Sequence, residues 1–589
     1  MSMDHAVVLL RMAGLIFSFY GYLRLLMKRI RPEFGIAVIF SAAGNLMFLA
    51  GILNLMPEMA FALYVSGIVL GVRSVRKREP LREAVTAGTC FFGLMDVFLF
   101  VLLYHDKFLH YDNFSHWALV LKVMLAEDRF PNFLDTNIMF QSYPPGSAAF
   151  IYYIVKAAGA GPEWLQMYAQ AVFMAGMASC LFAFAGKQAM GILSAAVLSV
   201  MLLAGNVPLY DLLVDTQLPL TALAGLAFCA CYRDMPAQAD GGDGLKAKAW
   251  YTAAFTTFLI TIKNSGVLFV CIILLYLLLR RRERAVEAAR ELAAPLLCPL
   301  AALVLWKKHV SLVFEKGLSA KHSMSVRNFR AVFGEKSAED LNMIARSVWD
   351  RVVTLSNPAL YILLFLVLLL ALQSRKKKTD REDIRLAVTA FAAYFLYQLG
   401  MLGMYLFSMP LGEAAVLAGY NRYYRTILIF IAGIAGILAM GAARRQEGSG
   451  QRGYRAAVLA LCIAGSWHAL KPNWAYYKKQ EMNQTRLRYD ALIRDYHIPP
   501  GGSYMVITTG DPGYLHYMSK YLLLPERLSA RDGSRAGELE RAEKEWENFD
   551  YLILFGAPEE FALWAEDRFG SEGPVIKPGE AGEWNSGGN

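Results

Sequence analysis

The stretch FLHYDNFSHW, residues 108–117, crowds two histidines, an aspartate, an asparagine and a serine among aromatic residues directly after a long apolar run. These residue types can do two kinds of chemistry. A carboxylate within reach of a hydroxyl can take its proton as the oxygen attacks, and a carboxylate beside histidines can help hold a metal ion. Asp112 is the acid in either case, flanked by His110 and His116. Further along, polar groups interrupt apolar runs at Asp211 and Asp215 in NVPLYDLLVDTQLP, at Lys263 and Asn264 in ITIKNSG, and at Glu413, Arg422 and Arg425 in SMPLGEAAVLAGYNRYYRT. Each has a plain structural reading beside the functional one. Asp215 can cap the helix that starts at TQLPL, and Lys263 can snorkel to a membrane surface. Glu413 and Arg422 can pair with each other, and His110 and His116 can be solvated interfacial residues.

What must position these groups is a membrane bundle. The chain has 589 residues, 56% of them hydrophobic and 18% charged, with a mean hydropathy of +0.35. Repeated apolar runs approaching ~20 residues predict about 14 transmembrane helices between residues 6 and 469. The formal charge of +10 is concentrated in short clusters between the runs, at Lys28–Arg31, Arg73–Arg82, Arg280–Arg290, Arg375–Arg381 and Arg444–Arg455. Such clusters orient membrane helices by staying cytoplasmic, so no nucleic-acid partner is inferred from the basic pI. With the N-terminus outside, all five alternate correctly. The 105–145 loop, the 205–217 turn, the 307–356 loop, the 407–423 loop and the C-terminal tail then face outward.

Two features strain that scheme. GSAAFIYYIVKAAGAG, residues 146–161, is apolar, but counting it as a span inverts every later cluster. It is expected to be an interfacial or re-entrant helix on the outer side. The 307–356 loop carries nine basic residues against five acidic ones, an excess that belongs in the cytoplasm unless those cations have a use outside. All seven cysteines fall within apolar runs, with neither a disulfide framework nor metal-ligand spacing.

From about residue 471 the pattern changes. SYMVITTGDPG, KYLLLP and FDYLILFG read as short buried strands, with GYLHYMSK, AGELERAEKEWENF and PEEFALWAEDRF as helices between them. Strand–helix alternation predicts a small three-layer α/β domain of about 100 residues. TTGDPG lacks the glycine fingerprint and the Lys-Ser/Thr of a phosphate loop, so a plain turn is expected.

The pattern as a whole resembles the GT-C superfamily, polytopic glycosyltransferases that use polyprenyl-phosphate-linked sugars at the outer membrane face, and within it a bacterial branch. The likeness rests on Asp112 in HYDNFSHW of the first large outer loop and on the SYPPG that follows, with Tyr143. Asp215 in LLVDTQLPL, the IKNSG hairpin, KHSMS (with His322, and Arg327 just after) and YNRYYRT complete it, so that it spans residues 84 to about 445. The resemblance implies a GT-C-like catalytic core over 84–470, with the helices of 1–83 as an accessory addition before it; the tail is then a soluble extracytoplasmic α/β domain over 471–578, and GEAGEWNSGGN, 579–589, is expected to be disordered. It implies an inverting transferase of the hexosyltransferase type with Asp112 as general base. The expected substrate-binding residues are His110, His116, Tyr143, Asp215, Lys263, Asn264, His322, Arg327, Glu413, Arg422 and Arg425, the cations Lys263, Arg422 and Arg425 serving the leaving lipid phosphate.

The implied partners are a polyprenyl-phosphate sugar donor, a glycan, lipid or protein acceptor, and membrane lipid. The implied location is the bacterial plasma membrane, with the active site extracytoplasmic. There is one departure: many relatives carry a second acid beside the first, where this chain has Asn113. That argues against metal dependence, so no cofactor is expected to be required. Two rival classes remain. A transporter or flippase of lipid-linked glycans should place ionisable residues along a path through its helices, whereas Arg11, Asp96 and Lys122 stand isolated here. A non-catalytic envelope-assembly scaffold would use the tail for docking.

Overall fold

The computed structural model describes residues 5–232, 243–280, 285–314, 326–375, 378, 380–445, 452–453, 455–463, 481–570 and 573–577. The chain forms two compact units. One takes Met1–Lys107, Met124–Phe133 and Phe140–Trp474, the other Phe108–Val123, Leu134–Met139 and Ala475–Asn589. The 105–145 loop is thus shared out, and its 108–123 portion folds with the C-terminal residues.

The helices begin with α1 (His5–Leu26), α2 (Pro32–Ile52), α3 (Met56–Arg76) and α4 (Ala87–Leu103), then the short α5 (Ala118–Glu127) and α6 (Gly146–Ala158). α7 (Glu163–Ser179) and α8 (Phe182–Ala185) make one apolar rod, and α9 (Ala189–Leu203) and α10 (Gln217–Cys231) bracket the 204–216 turn. α11 (Asp243–Ile262) and α12 (Gly266–Leu279) form a hairpin, followed by α13 (Ala285–Val313) and the amphipathic α14 (Val326–Gly334) and α15 (Ala338–Val353). The bundle closes with α16 (Pro358–Arg375), α17 (Arg381–Phe407), α18 (Leu411–Ala415) and α19 (Tyr420–Arg445). Among the described residues, eight spans, in α1, α2, α3, α7 with α8, α13, α16, α17 and α19, are long and apolar enough to cross a membrane, and α4, α9, α10 and α12 are shorter apolar helices. The protein is therefore an α-helical, multi-pass membrane protein. The apolar run expected at 455–469 leaves the described residues after 463.

Three packing features position the polar groups. α1 and α3 meet backbone to backbone, since a Cβ on Gly21 would lie 2.1 Å from the Gly67 carbonyl oxygen; small residues permit such approach between membrane helices. α2 is covered by α6, α7 and α11, and Phe34, Ala37 and Met47 on it are fully buried. At 13 residues, α6 is only ~20 Å long, short of the ~30 Å hydrocarbon core. It is not a surface-lying helix with one exposed face, because Ala149 to Tyr153 are all at most 2% exposed.

The α11–α12 hairpin is fixed at both ends. At its open end Lys248 and Arg280 converge on Glu291 of α13, at 2.8 and 3.1 Å. Tyr276 of α12 bonds Glu382 of α17 near the same end, where Arg445 of α19 pairs with Asp383. At the closed end, Gly266 starts α12 where a Cβ would lie 1.9 Å from the Leu259 carbonyl oxygen. Only glycine permits that turn.

The second unit contains a four-stranded sheet in the order β2-β1-β3-β4, with β1 at Ser503–Thr508, β2 at Arg527–Asp532, β3 at Tyr551–Leu554 and β4 at Val575–Ile576. β1 pairs in parallel with β2 and β3, and β4 is antiparallel to β3. Helices Pro512–Leu523 and Glu538–Glu545 make the crossovers, and Met505, Ile507, Leu552, Phe561 and Ile576 fill the core. KYLLLP, expected as a strand, is instead the end of helix Pro512–Leu523 and its left-handed exit at Leu524, φ 45°. The strand falls on RLSARD, an edge strand with no fully buried residue, and half-exposed edges lack the apolar signature of a central strand.

Candidate functional site

The first polar cluster lies in the membrane bundle, where the 204–216 turn, the closed end of the α11–α12 hairpin and the start of α19 come together. Asp215 is its centre, with a side chain 4% exposed. Its Oδ1 accepts from Lys263 Nζ at 2.9 Å, and its Oδ2 lies 3.6 Å from Arg422 Nε. Both cations lie over the ring of Tyr423, Lys263 Nζ at 5.1 Å and Arg422 Cζ at 5.3 Å. Burial pushes the Asp215 carboxyl up, but Lys263 and then Arg422 outweigh it and hold the group below the ordinary carboxylate range. Lys263 and Arg422 thus set two cations against one buried carboxylate, and charge-assisted hydrogen bonds from such groups to an anion are strong where the dielectric is low.

The backbone of the turn is held as firmly as its charges. Asn206 Nδ2 donates to the Asp215 carbonyl at 3.3 Å and to the Arg422 carbonyl at 2.9 Å, and Thr426 Oγ1 donates to the Asp215 carbonyl at 3.1 Å. Gln170 Nε2 reaches the carbonyls of Asp211 and Leu213, each at 3.2 Å, while Ser147 Oγ donates to Gln217 at 2.7 Å. Asp215 is not a helix cap. Thr216 occupies the cap position of α10, and its hydroxyl accepts from the Val207 amide at 3.1 Å. Sequence reading missed Asn206, Gln170, Ser147 and Thr426, because uncharged polar residues in apolar runs carry no marker of which neighbour they will meet.

The second cluster is the 108–117 stretch, within the second unit. Asn113–Trp117 forms a π-helical turn immediately after Asp112, a conformation often found at functional sites. Arg486, 3% exposed and paired with Asp490 at 2.9 Å, donates to the Phe108 carbonyl at 3.1 Å. Tyr514 Oη donates to the Leu109 carbonyl at 2.8 Å. Phe114 packs on Tyr514 and Tyr521 at 5.8 and 5.5 Å, under the Arg486 guanidinium at 5.4 Å. Lys122 and Asn137 add bonds to the carbonyls of Leu522 and Pro525, at 3.2 and 3.0 Å.

Asp112 is thereby held with 18% of its side chain exposed, its Oδ2 4.0 Å from His110 Nδ1. The same Nδ1 accepts from the Asp112 amide at 3.2 Å, which requires that nitrogen to be unprotonated. His116 is not the solvated residue expected: it is 6% exposed, with Trp117 against its ring. His110 stacks on Tyr111 at 4.9 Å.

The remaining expected residues are scattered. Tyr143 stacks on Phe140 at 5.4 Å. Asn264 occupies the turn of the hairpin, half-buried, its carbonyl accepting from the Val267 amide at 3.4 Å. Glu413 is half-buried on α18, and Arg425 follows Arg422 on α19. Arg327 is the second residue of α14, but its side chain lies outside the described residues, as does the whole of His322. Among the described residues, no three His, Cys, Asp or Glu side chains stand together as metal ligands. Two cations of the 307–356 loop have structural work. Lys336 Nζ, 6% exposed, donates to the carbonyls of Tyr405, Leu406 and Met409 at 3.0, 2.8 and 2.7 Å, closing the end of α17, and burial lowers its pKa. Arg351 covers the Tyr420 ring at 5.2 Å. No protein-family model matches this sequence, and no curated protein matches it either.

Proposed function

We propose that this protein is a membrane-embedded glycosyltransferase that moves one sugar from a polyprenyl-phosphate donor to an acceptor at the extracytoplasmic face, with inversion. The observation that carries the reading is the convergence of Lys263 and Arg422 on the single buried carboxylate of Asp215. A backbone-braced pair of cations inside a membrane bundle suits the phosphate of a lipid carrier, which must be gripped where its lipid lies. The alternation of the basic clusters supports the orientation. So does the finding that the Arg445–Asp383 and Arg280–Glu291 pairs sit at the helix ends opposite the Asp215 cluster. In this reading the full bundle has about 14 transmembrane helices, and the sheet-containing unit is extracytoplasmic.

In the proposed step, a carboxylate base, the role that the resemblance gives to Asp112, accepts the proton of the acceptor hydroxyl as its oxygen forms a bond to the anomeric carbon. The bond from that carbon to the phosphate oxygen breaks, and its electron pair leaves with the lipid phosphate. Lys263 and Arg422 take up the charge that accumulates there, and attack opposite the leaving group inverts the anomeric centre. The test is release of polyprenyl phosphate by the full-length protein in lipid vesicles, given polyprenyl-phosphate sugars and a panel of glycan, lipid and peptide acceptors. Acceptor-dependent release that Asp112→Asn abolishes supports the reading. Movement of intact donor across the vesicle membrane without release would replace it with transport.

A further inference from the structure

α4 contains one acidic or basic residue, Asp96, tenth of the 17 residues in AGTCFFGLMDVFLFVLL. Leu94, Val97, Phe98 and Val101 beside it are 74%, 63%, 54% and 71% exposed, a surface that meets hydrocarbon in a bilayer. A helix of this length measures ~25 Å, so Asp96 lies near its mid-depth. The carboxylate turns inward. The Tyr168 hydroxyl of α7 donates to Oδ1 at 2.7 Å, and Asp96 makes no other hydrogen bond or ion pair among the described residues. Asp96 and Tyr168 line a cavity of ≈ 220 Å³ between α1, α2, α4, α6 and α7, walled mostly by apolar groups including Phe19, Phe40, Phe92 and Phe150. Ile16, also in its lining, is 59% exposed.

We propose that this cleft binds a membrane-dissolved long-chain alcohol, its hydroxyl on Asp96 and its chain leaving along α1 and α4. A carboxyl oxygen within hydrocarbon is costly unless hydrogen-bonded, and the phenol satisfies only one of the two oxygens. A hydroxyl supplies the missing donor. An alkyl chain alone would leave that oxygen unbonded, and a phosphate headgroup would pull its own charge to mid-depth. An apolar cavity of about 150 Å³ holds a benzene, so this one has room for the hydroxyl-bearing end of such a molecule. Nothing in this assignment depends on the transfer reaction.

The test uses the full-length protein in phosphatidylcholine nanodiscs and two photoreactive probes, a diazirine-bearing long-chain primary alcohol and its methyl ether. The alcohol should label peptides covering residues 12–23 and 89–96 about tenfold more strongly than the ether, the worth of one hydrogen bond in a dry site. Asp96→Leu should erase the difference, whereas Asp96→Asn, which keeps an accepting oxygen, should retain most of it. Equal labelling by alcohol and ether in the unaltered protein overturns the proposal, because the cleft then admits lipid by shape alone. A preference that survives Asp96→Leu also overturns it.

Discussion

At the scale of single residues, the Asp215 cluster and Asp112 predict separable defects. Lys263→Ala and Arg422→Ala each remove one cation from the donor phosphate, and each should weaken binding of a polyprenyl-phosphate analogue by about tenfold or more. Lys263→Arg should restore part of the loss, since charge matters more than shape there. Unchanged analogue binding in both alanine variants would reduce the two cations to partners of Asp215. Asp215→Asn removes the buried carboxylate on which Lys263 and Arg422 converge, at roughly 3 kcal/mol of stability. Because Asp215 titrates lower in the folded protein than its ordinary value of 3.8, its contribution is complete above about pH 4 and is lost as pH falls through the folded value. Melting profiles of the two proteins should therefore run parallel from pH 5 upward and converge in acid; a gap that persists in acid would contradict the ion-pair account. Asp112→Asn keeps size and hydrogen bonding but cannot take a proton, so turnover should fall ~10²-fold or more with donor binding intact. Normal turnover would make the 108–117 stretch structural.

The elements explain why some of this is legible in sequence and some is not. Asp215, Lys263 and Arg422 each stand out as charge at the edge of an apolar run, but nothing in the sequence couples positions 48 residues apart such as 215 and 263. Their meeting depends on Gly266, which closes the hairpin against the Leu259 carbonyl. Gly266→Ala should cost about 1–3 kcal/mol, read as a lower melting temperature in detergent, where Val267→Ala, at an exposed position, should not; equal effects would remove the hairpin argument. The link between the 108–117 stretch and the tail was invisible for the same reason, Arg486 and Phe108 being 378 residues apart. Tyr514→Phe deletes one buried hydrogen bond of about 1 kcal/mol. Amide exchange over 109–117 should then rise about fivefold, local opening being what exchange reports, and unchanged exchange would mean the tail does not hold the stretch. Likewise, the edge strand Arg527–Asp532 escaped notice because it has no buried face to impose a period.

At the scale of the whole molecule, hydropathy gave the class of protein, since apolar runs near the bilayer thickness survive any detail of packing. It could not say which helices are enclosed. α2 and α1 are both apolar enough to span a membrane, yet 72% of one span and 17% of the other is buried within the protein. Charge is the property that should set direction. If the basic clusters are cytoplasmic, a thiol placed at exposed Lys77, between α3 and α4, must be sealed from the outside, and one at exposed Glu543 of the sheet-containing unit must be open to it. The seven native cysteines lie in apolar runs and should be replaced first, because Cys90 and Cys271 are exposed on helices. In intact cells a membrane-impermeant maleimide should modify Glu543→Cys and spare Lys77→Cys until the membrane is permeabilised. The opposite pattern would turn the bundle over, carry the Asp215 cluster to the cytoplasmic face and exclude an extracytoplasmic donor. Modification of both in intact cells would mean that the 77 and 543 positions share a side, and the count of crossings between them would then have to change by one.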